Sequence, residues 1–290
     1  LDARQAAGRW YVRIEDLDPP REQAGAAQSI LRTLERFGLH WDGEVVYQRD
    51  RHAAYLDALE QLFAQGGGAL FPCTCSRTVL AGESTAATDE GPRYAGRCRQ
   101  RVVAQGPSAS VAGDAAIAWR LRVPHEEAPV YFDDRVQGPQ QCVPGREIGD
   151  FVLRRRDGLF AYQLAVAVDD HAQGITHIVR GTDLLTSTYR QLLVLRRLGL
   201  PRPRYAHVPV AVTASGQKLS KQSGARSIET APVSPLLHRA LAYLQQRPPT
   251  ELVDASPDDV LAWAIDAWAP DKFWGKRQID VEASGDCEAE

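Results

Sequence analysis

The clearest sign of architecture in the sequence is Gly174-Ile-Thr-His-Ile-Val-Arg-Gly-Thr-Asp183. Residues 176–179 predict a strand, and Arg180 places a positive charge directly after it. Apolar residues over 189–198 then repeat at helical spacing, and residues 208–212 predict another strand. A strand, a helix and a strand in this order favour an α/β fold with a parallel sheet. Ligands of such sheets bind beyond the carboxyl ends of the strands.

The beginning of the chain predicts the same alternation. Residues 9–14 form an apolar-rich run that predicts a buried strand, and this strand ends in an acidic cluster at Glu15 and Asp16. Two helices follow, each with its apolar residues on one face: Ile30, Leu31, Leu34 and Phe37, then Tyr55, Leu56, Leu59, Leu62 and Phe63. The two carboxylates therefore lie where an α/β sheet holds its ligands. Their structural alternative is pairing with the neighbouring Arg13 and Arg21.

The middle of the chain differs in composition from its flanks. Residues 81–92 and 104–116 are rich in Ala, Gly, Ser and Thr, which is typical of loops or a flexible insertion. Residues 117–123 alternate apolar and polar side chains, as a half-buried strand does. We therefore expect an α/β domain that is split by an insertion over residues 71–155.

The composition is that of a globular protein. Of 290 residues, 44% are apolar and 24% are charged, which excludes collagen, coiled coils and wholesale disorder. The net charge of −3 excludes a protein that coats nucleic acid through bulk positive charge, so any RNA contact must be local. The longest aliphatic run, residues 164–168, is too short to cross a bilayer, and no signal peptide is evident. We expect a soluble, cytoplasmic protein with neither a membrane nor DNA as its partner.

Three cysteines have the spacing of a metal site. Cys73 and Cys75 are one residue apart, and Cys98 returns after a further 22 residues. Thiolates bind zinc tetrahedrally at about 2.3 Å, and such a close pair can hold one ion from a tight turn. The fourth ligand is open between four candidates: Tyr94, His52, His125 and water. We predict a structural zinc ion, whereas the competing interpretation is three unrelated thiols in a reducing compartment.

Two of the four lysines lie three residues apart in the polar segment 216–224. Lys218 and Lys221 follow a predicted strand, and an ammonium group on a long, flexible stem suits a loop that closes on polyphosphate charge. The alternative for these lysines is an ordinary solvated loop.

Arg180 is the candidate for binding a carboxylate. A planar guanidinium at the end of a strand can hold a carboxylate through two parallel hydrogen bonds. Tyr162 lies upstream, in a hairpin that Asp157-Gly158 predicts between residues 152–153 and 160–162. An ordinary cluster of helix caps and salt bridges would explain the same residues equally well.

Five motifs follow one another in an informative order. They are Arg13-Ile-Glu-Asp-Leu-Asp18, Phe71-Pro-Cys-Thr-Cys-Ser76, Gly158-Leu-Phe-Ala-Tyr-Gln-Leu-Ala165, Gly174-Ile-Thr-His-Ile-Val-Arg-Gly-Thr-Asp183 and Lys218-Leu-Ser-Lys221. This set resembles the glutamyl class of the class I aminoacyl-tRNA synthetases, and the resemblance covers residues 1–268.

The resemblance implies a Rossmann catalytic domain over 1–70 and 156–205. A zinc-binding insertion, similar to an acceptor-binding domain, would occupy 71–155. A mainly helical, stem-contact-like region with the lysine loop and a disordered acidic tail would follow over 206–290. The family opens with a strand, a phosphate loop and a helix, and this chain begins within what resembles that helix. We therefore expect an N-terminal truncation and impaired activity of the fragment.

The resemblance also assigns roles to residues at matching positions. Glu15, Tyr162 and Arg180 correspond to the glutamate pocket, where Glu15 would attract the ammonium group and Arg180 the side-chain carboxylate. The zinc ligands would be Cys73, Cys75, Tyr94 and Cys98. Lys218 and Lys221 fall on the loop that meets ATP and are the expected catalytic residues, with Lys221 binding ATP. Mg²⁺ would accompany ATP.

The reaction implied is activation of L-glutamate by ATP, followed by transfer to RNA. The Cys-x-Cys and Tyr-x-x-x-Cys set, with the lack of a long C-terminal extension, favours the branch that modifies queuosine in the anticodon of tRNA(Asp). Three alternatives remain open: a truncated ordinary synthetase that charges tRNA(Glu), a noncatalytic RNA-binding derivative, and a zinc-stabilised interaction module.

Overall fold

The computed structural model describes residues 1–83, 87–88, 91–109, 117–219 and 227–281. This part of the chain contains nine α-helices: α1 (Asp2–Gln5), α2 (Ala26–Arg36), α3 (His52–Ala64), α4 (Arg77–Glu83), α5 (Pro144–Glu147), α6 (Tyr162–Ala172), α7 (Leu185–Leu198), α8 (Val233–Tyr243) and α9 (Pro257–Ala267). The same residues form thirteen strands: β1 (Arg13–Ile14), β2 (Val46–Tyr47), β3 (Leu70–Cys73), β4 (Ala87–Thr88), β5 (Gly91–Pro92), β6 (Ala118–Leu121), β7 (Val130–Asp134), β8 (Gly138–Cys142), β9 (Phe151–Arg154), β10 (His177–Gly181), β11 (Arg204–Val208), β12 (Val210–Val212) and β13 (Gln278–Asp280).

The largest sheet among the described residues has four strands in the order β10, β11, β7, β8. β10 and β11 are parallel and are connected through α7, whose last residue precedes Gly199 in a left-handed conformation with φ of 67°. β7 is parallel to β11, while β8 is antiparallel to β7. A parallel pair bridged by a helix is the βα unit of α/β proteins. The fold class predicted from the sequence is therefore confirmed.

The main core lies where α3, α6 and α7 cover the strands. Leu59, Leu164 and Leu193, one from each helix, are fully buried in one cluster with Leu153 of β9. Full burial of a leucine contributes on the order of 1.5–3 kcal/mol, so this cluster fixes the three helices relative to the sheet. The two helices predicted from apolar faces at 30–37 and 55–63 are confirmed as α2 and α3.

Asp169 ties α6 to α3 inside this core. Its fully buried carboxylate accepts hydrogen bonds from Gln48 at 2.9 Å and from the Tyr55 hydroxyl at 2.6 Å, and it is ion paired with Arg51. Buried carboxylates need such partners because an isolated charge in a protein interior is very costly. The network thereby holds the helix that begins with Tyr162.

The predicted insertion contains an antiparallel sheet in the order β3, β6, β9. The hairpin of β7 and β8 also lies within 71–155, but it joins the sheet of β10 and β11. The expected half-buried strand at 117–123 is wrong in its burial, because all four residues of β6 are buried. Arg120 is buried with its guanidinium over the Tyr94 ring, 4.1 Å from the centroid.

Three element boundaries differ from the prediction. The strand expected over 9–14 is limited to β1, because its partner β2 has only two residues and the Trp10 amide donates to Asp42 instead. The strand expected over 208–212 is divided between β11 and β12 at Pro209, which has no amide hydrogen for a ladder. The hairpin expected around Asp157-Gly158 is reduced to a single bridge, and Tyr162 starts a helix.

The remaining described residues form a smaller unit after β12. α8 and α9 pack through Leu241, Val260 and Ala264, and β13 is parallel to β12. Among the described residues, no helix is both long and apolar enough to span a membrane. The acidic tail expected to be disordered over 280–290 begins within a strand, because Asp280 belongs to β13, while Lys221 and residues 282–290 lie outside the described ranges.

Candidate functional site

Arg180 is the centre of the site at the carboxyl end of β10. Its Nε donates to Nε2 of His207 at 3.2 Å, and its Nη2 donates to Thr188 at 2.7 Å and to Gln191 at 2.8 Å. Its Nη1 donates to the Tyr162 hydroxyl at 3.3 Å. A guanidinium has five N–H donors, so these partners leave one N–H of Nη1 without a partner among the described residues.

The elements around β10 explain why these groups meet. β10 and β11 run in register with Arg180 opposite His207, which places the two side chains on the same face of the sheet. Thr188 and Gln191 are three residues apart on α7, and this spacing puts them on one helix face. Tyr162 is the first residue of α6, and burial raises the pKa of its phenol while Arg180 opposes that shift.

His207 is itself held from behind by Asp134. Neither side chain is exposed, and Nδ1 of His207 lies 2.6 Å from Oδ2 of Asp134. The His207 amide also donates to Oδ1 of Asp134 at 3.0 Å. Burial alone would raise the pKa of the Asp134 carboxyl, but the hydrogen bonds from His207 and nearby amides lower it below its usual value. The ionised carboxylate is therefore the favoured form.

Glu15, Arg13 and Asp170 form a charged group at the end of β1. Arg13 is ion paired with Asp170 at 2.8 Å and with Glu15 at 3.5 Å. Burial raises the pKa of both carboxyls, and attraction by Arg13 and by Arg180 opposes the rise. Arg180 and this group therefore interact electrostatically. A cleft of about 830 Å³ is bordered by Arg13, Glu15 and Asp170.

Lys218 lies near the turn that follows β10. It forms an ion pair with Asp183, and its side chain is 57% exposed. The backbone of Lys218 bridges to Val212, so the lysine segment starts directly beside β12. The position of Lys218 therefore fits the loop expected from the sequence, whereas Lys221 is outside the described residues.

The three predicted thiols form one cluster. The sulfur atoms of Cys73, Cys75 and Cys98 all lie within 4.8 Å of one another, and those of Cys75 and Cys98 are 3.5 Å apart. The Tyr94 hydroxyl is 3.7 Å from the sulfur of Cys73 and accepts a hydrogen bond from the Cys98 amide at 2.6 Å. Two ligands held at about 2.3 Å on a tetrahedral zinc ion lie about 3.8 Å apart. The cluster therefore has the dimensions of a metal site.

The protonation of these thiols differs within the cluster. Burial raises the pKa of Cys75 to about 11 and also raises that of the Tyr94 phenol. Burial opposes ionisation of Cys98 as well, but hydrogen bonds from the Thr74 amide and from Tyr94 lower its pKa to about 7. The two histidine candidates are elsewhere: the His52 ring packs on Phe160, and His125 is close to Glu126.

Four residues of the Arg180 environment were missed at the level of sequence: Thr188, Gln191, His207 and Asp134. The spacing of Thr188 and Gln191 at the start of a predicted helix was an available signal, since the pair follows the strand-end arginine. His207 and Asp134 had no local signal, because they meet through pairing of β7 with β11.

Comparison with known proteins identifies the family of the chain. Residues 1–245 match the family of tRNA synthetases class I (E and Q), catalytic domain. The chain is 50% identical over 268 residues to the Glutamyl-Q tRNA(Asp) synthetase of Ectopseudomonas mendocina (strain ymp), covering 92% of this chain and 84% of that protein. It is 49% identical over 281 residues to the Glutamyl-Q tRNA(Asp) synthetase of Pseudomonas entomophila (strain L48), and the alignment covers 97% of this chain and 88% of that protein.

The chain thus belongs to the tRNA synthetases class I (E and Q) and, within them, to the family of Glutamyl-Q tRNA(Asp) synthetases. A third relative, from Aromatoleum aromaticum, is 46% identical over 285 residues and is covered to 85%. Coverage at this level gives no support to the expected N-terminal truncation or to the expected impairment.

Solved structures agree on the fold. A glutamate-tRNA synthetase from Elizabethkingia anophelis superposes with a TM-score of 0.74 at 20% identity, covering 98% of this chain and 63% of that protein. A glutamate tRNA ligase from Elizabethkingia meningosepticum, solved in complex with its amino acid, gives the same TM-score of 0.74. The chain spans 63% and 62% of the lengths of these two structures.

Proposed function

We propose that the chain activates L-glutamate with ATP and transfers it to queuosine in the anticodon of tRNA(Asp). The observation that carries the proposal is the guanidinium of Arg180, held by four side chains at the carboxyl end of β10 with one N–H still available. A planar, fully charged donor in such a place suits a carboxylate ligand. The relatives named Glutamyl-Q tRNA(Asp) synthetase supply the acceptor.

The amino-acid pocket would use the charges around Arg180. Arg180 and the Tyr162 hydroxyl would bind the side-chain carboxylate of glutamate, and Glu15 would attract its ammonium group. Arg13 is ion paired with Glu15 and Asp170, and Arg180 attracts both carboxylates, so the pocket offers groups of both signs to the ammonium group and the side-chain carboxylate of the substrate. This arrangement would exclude glutamine through the loss of the carboxylate charge.

Activation would proceed without a side-chain nucleophile. The α-carboxylate of glutamate attacks the α-phosphate of ATP in line, pyrophosphate leaves, and glutamyl-adenylate forms. Such chemistry depends on positioning and on stabilisation of the phosphate charge. Lys218 and Lys221 would provide that charge as the catalytic pair, with Lys221 binding ATP, and Mg²⁺ would accompany the nucleotide. A hydroxyl of queuosine then attacks the adenylate carbonyl and releases AMP.

Zinc would be held by Cys73, Cys75, Cys98 and Tyr94, with a structural role. The support is the sulfur separation of 3.5 Å and the closeness of the Tyr94 oxygen to Cys73. When bound, zinc replaces the protons on the thiols and joins the two ends of the loop between residues 75 and 98. The pocket at Arg180 has different residues and would act without the ion taking part in the chemistry.

The acceptor is tested directly with radiolabelled glutamate and ATP. We expect labelling of queuosine-containing tRNA(Asp), and no labelling of queuosine-free tRNA(Asp) or tRNA(Glu). Labelling of tRNA(Glu) instead would favour an ordinary glutamyl-tRNA synthetase. Labelling of none, without glutamate-dependent pyrophosphate exchange, would favour a noncatalytic RNA-binding derivative. We propose the cytoplasm as the site of action, where this tRNA is found.

A further inference from the structure

A buried histidine, His207, takes no part in the proposed mechanism. His207 lies between Arg180 and Asp134, and its side chain and that of Asp134 are 0% exposed. One ring nitrogen is 2.6 Å from the Asp134 carboxylate, and the other is 3.2 Å from Nε of Arg180. The three side chains therefore form a continuous hydrogen-bonded chain from β7 through β11 to β10.

The chemistry of Arg180 determines the protonation of His207. A guanidinium is always charged and has only donors, so its Nε–H needs an acceptor at Nε2 of His207. The proton of the ring must then be on Nδ1, where it is donated to the Asp134 carboxylate. A proton on Nε2 would place two N–H groups face to face, whereas the Thr188 hydroxyl, 3.1 Å from Nε2, can donate to this nitrogen when it is unprotonated. The hydrogen bonds therefore favour the tautomer with its proton on Nδ1, where Asp134 accepts it.

This contact restricts how Arg180 can turn. Thr188 and Gln191 both hold Nη2, and the Tyr162 hydroxyl accepts from Nη1 at the longer distance of 3.3 Å. His207 adds a further fixed point at Nε, and the short contacts at Nη2 together with the one at Nε define the plane and the direction of a flat guanidinium. The edge that remains for a ligand is Nη1, beside the Tyr162 hydroxyl.

We propose that His207, with its tautomer fixed by Asp134, is a positioning residue that aims Nη1 of Arg180 at the side-chain carboxylate of the amino-acid substrate. The inference rests on the proposed activation of L-glutamate. It assigns His207 no contact with the substrate. Its loss should therefore weaken glutamate binding and the selection of glutamate over glutamine, while ATP binding stays unchanged.

Two conservative variants separate positioning from a merely structural role. In His207→Asn the amide replaces Nδ1 and can still donate to Asp134, but the acceptor for Arg180 is lost. In His207→Gln the amide oxygen can reach the position of Nε2 and accept from Arg180, while the contact with Asp134 is lost. A structural role would make the two variants similar, or would favour the one that keeps the Asp134 contact.

The measurement is glutamate-dependent exchange of labelled pyrophosphate into ATP, with isothermal titration of L-glutamate as a second readout. We expect His207→Asn to raise the KM and the Kd for glutamate about tenfold to a hundredfold, the effect of a lost hydrogen bond to a charged group, with the KM for ATP within about twofold. His207→Gln should recover most of this loss. Equal effects in both variants, or an unchanged KM in His207→Asn, would overturn the inference.

The intact chain provides a test that does not depend on activity. In ¹⁵N spectra of protein labelled at histidine, we expect His207 to show a protonated Nδ1 and an unprotonated Nε2 at neutral pH. A proton on Nε2 would overturn the inference even if the variants do not fold. Failure of the unmodified chain to bind L-glutamate by titration would overturn the proposed function and this inference with it, which distinguishes that result from an effect of the variants.

Discussion

Around Arg180, groups of opposite charge and hydrogen-bonding character meet, whereas the cysteine cluster brings three groups of the same kind together. A chain of hydrogen bonds runs from Asp134 through His207 to Arg180 and on to Gln191. The cluster instead brings three sulfur atoms together, and one of them, on Cys98, is shifted toward the thiolate. Burial of a negative group without a cation is unfavourable. The charges of the pocket therefore have partners within the chain, while the cluster has the composition of a metal site.

The largest effect should come from removal of the ion at the cysteine cluster. We expect about one zinc per chain in unmodified protein and none in Cys73→Ser, by elemental analysis. Structural zinc contributes on the order of 10–16 kcal/mol of apparent binding free energy in small domains, so the melting temperature should fall by more than about 10 °C. Cys142→Ser, at a buried cysteine outside the cluster, is the control that should keep its zinc. Protein without metal would contradict the site.

The second effect concerns the pocket at Arg180. Here a substitution should reduce the activity with glutamate while lowering the melting temperature less than loss of zinc does. Arg180→Lys keeps the charge but cannot reach four partners at once, so kcat/KM for glutamate should fall at least about thirtyfold, or about 2 kcal/mol. Exchange of labelled pyrophosphate into ATP measures this kcat/KM, and thermal unfolding of the same variant is followed in parallel. The control is Arg196→Lys on the outer face of α7, where the ion pair with Glu127 is shared with Arg197. Normal exchange in Arg180→Lys would make Arg180 structural.

A third, smaller effect tests whether the cluster extends to a fourth ligand. Tyr94→Phe removes the oxygen near Cys73 and the acceptor for the Cys98 amide, but keeps the ring on which Arg120 packs. We expect zinc affinity to fall about tenfold or more, measured by competition with a chromophoric chelator. The stacking of Arg120 should preserve the fold of the insertion. An affinity equal to that of unmodified protein would exclude the phenol as a ligand.

The smallest effect is expected at Lys218, outside both buried sites. Exposed ion pairs contribute about 0–1 kcal/mol, so Lys218→Ala should change the melting temperature by only a degree or two. If the lysine contacts ATP, the KM for ATP should rise about twofold to tenfold while the KM for glutamate stays the same. Asp183→Asn is the companion variant, because it breaks the same ion pair and keeps the lysine. Similar changes in both variants would mean that the pair, and not the lysine, matters.

The sequence predicted those site residues whose signal is local, that is, carried by neighbours close along the chain. Arg180 was predicted from the strand before it, and the cysteines from their spacing. Asp134 and His207 are 73 residues apart, and their contact depends on how β7 and β11 pair. Register between distant strands is set by the whole sheet, so neither residue carried a local signal. Tyr162 was predicted to lie in a hairpin because Asp157-Gly158 is typical of a turn between two strands. The same turn can also precede a helix, and here α6 begins at Tyr162.

The pairing of β7 with β11 also links two parts of the molecule that the sequence separates. Asp134 lies within residues 71–155, the predicted insertion that also contains the cysteine cluster, and two hydrogen bonds connect it through His207 to the guanidinium at the pocket. Any ligand that shifts the β7 hairpin against β11 changes the energy of those bonds, and the affinity for a carboxylate changes with it. Thermodynamic linkage makes such an effect mutual. A ligand that binds at the β7 hairpin and an amino acid that binds Arg180 would then each change the affinity for the other, through the three side chains of Asp134, His207 and Arg180.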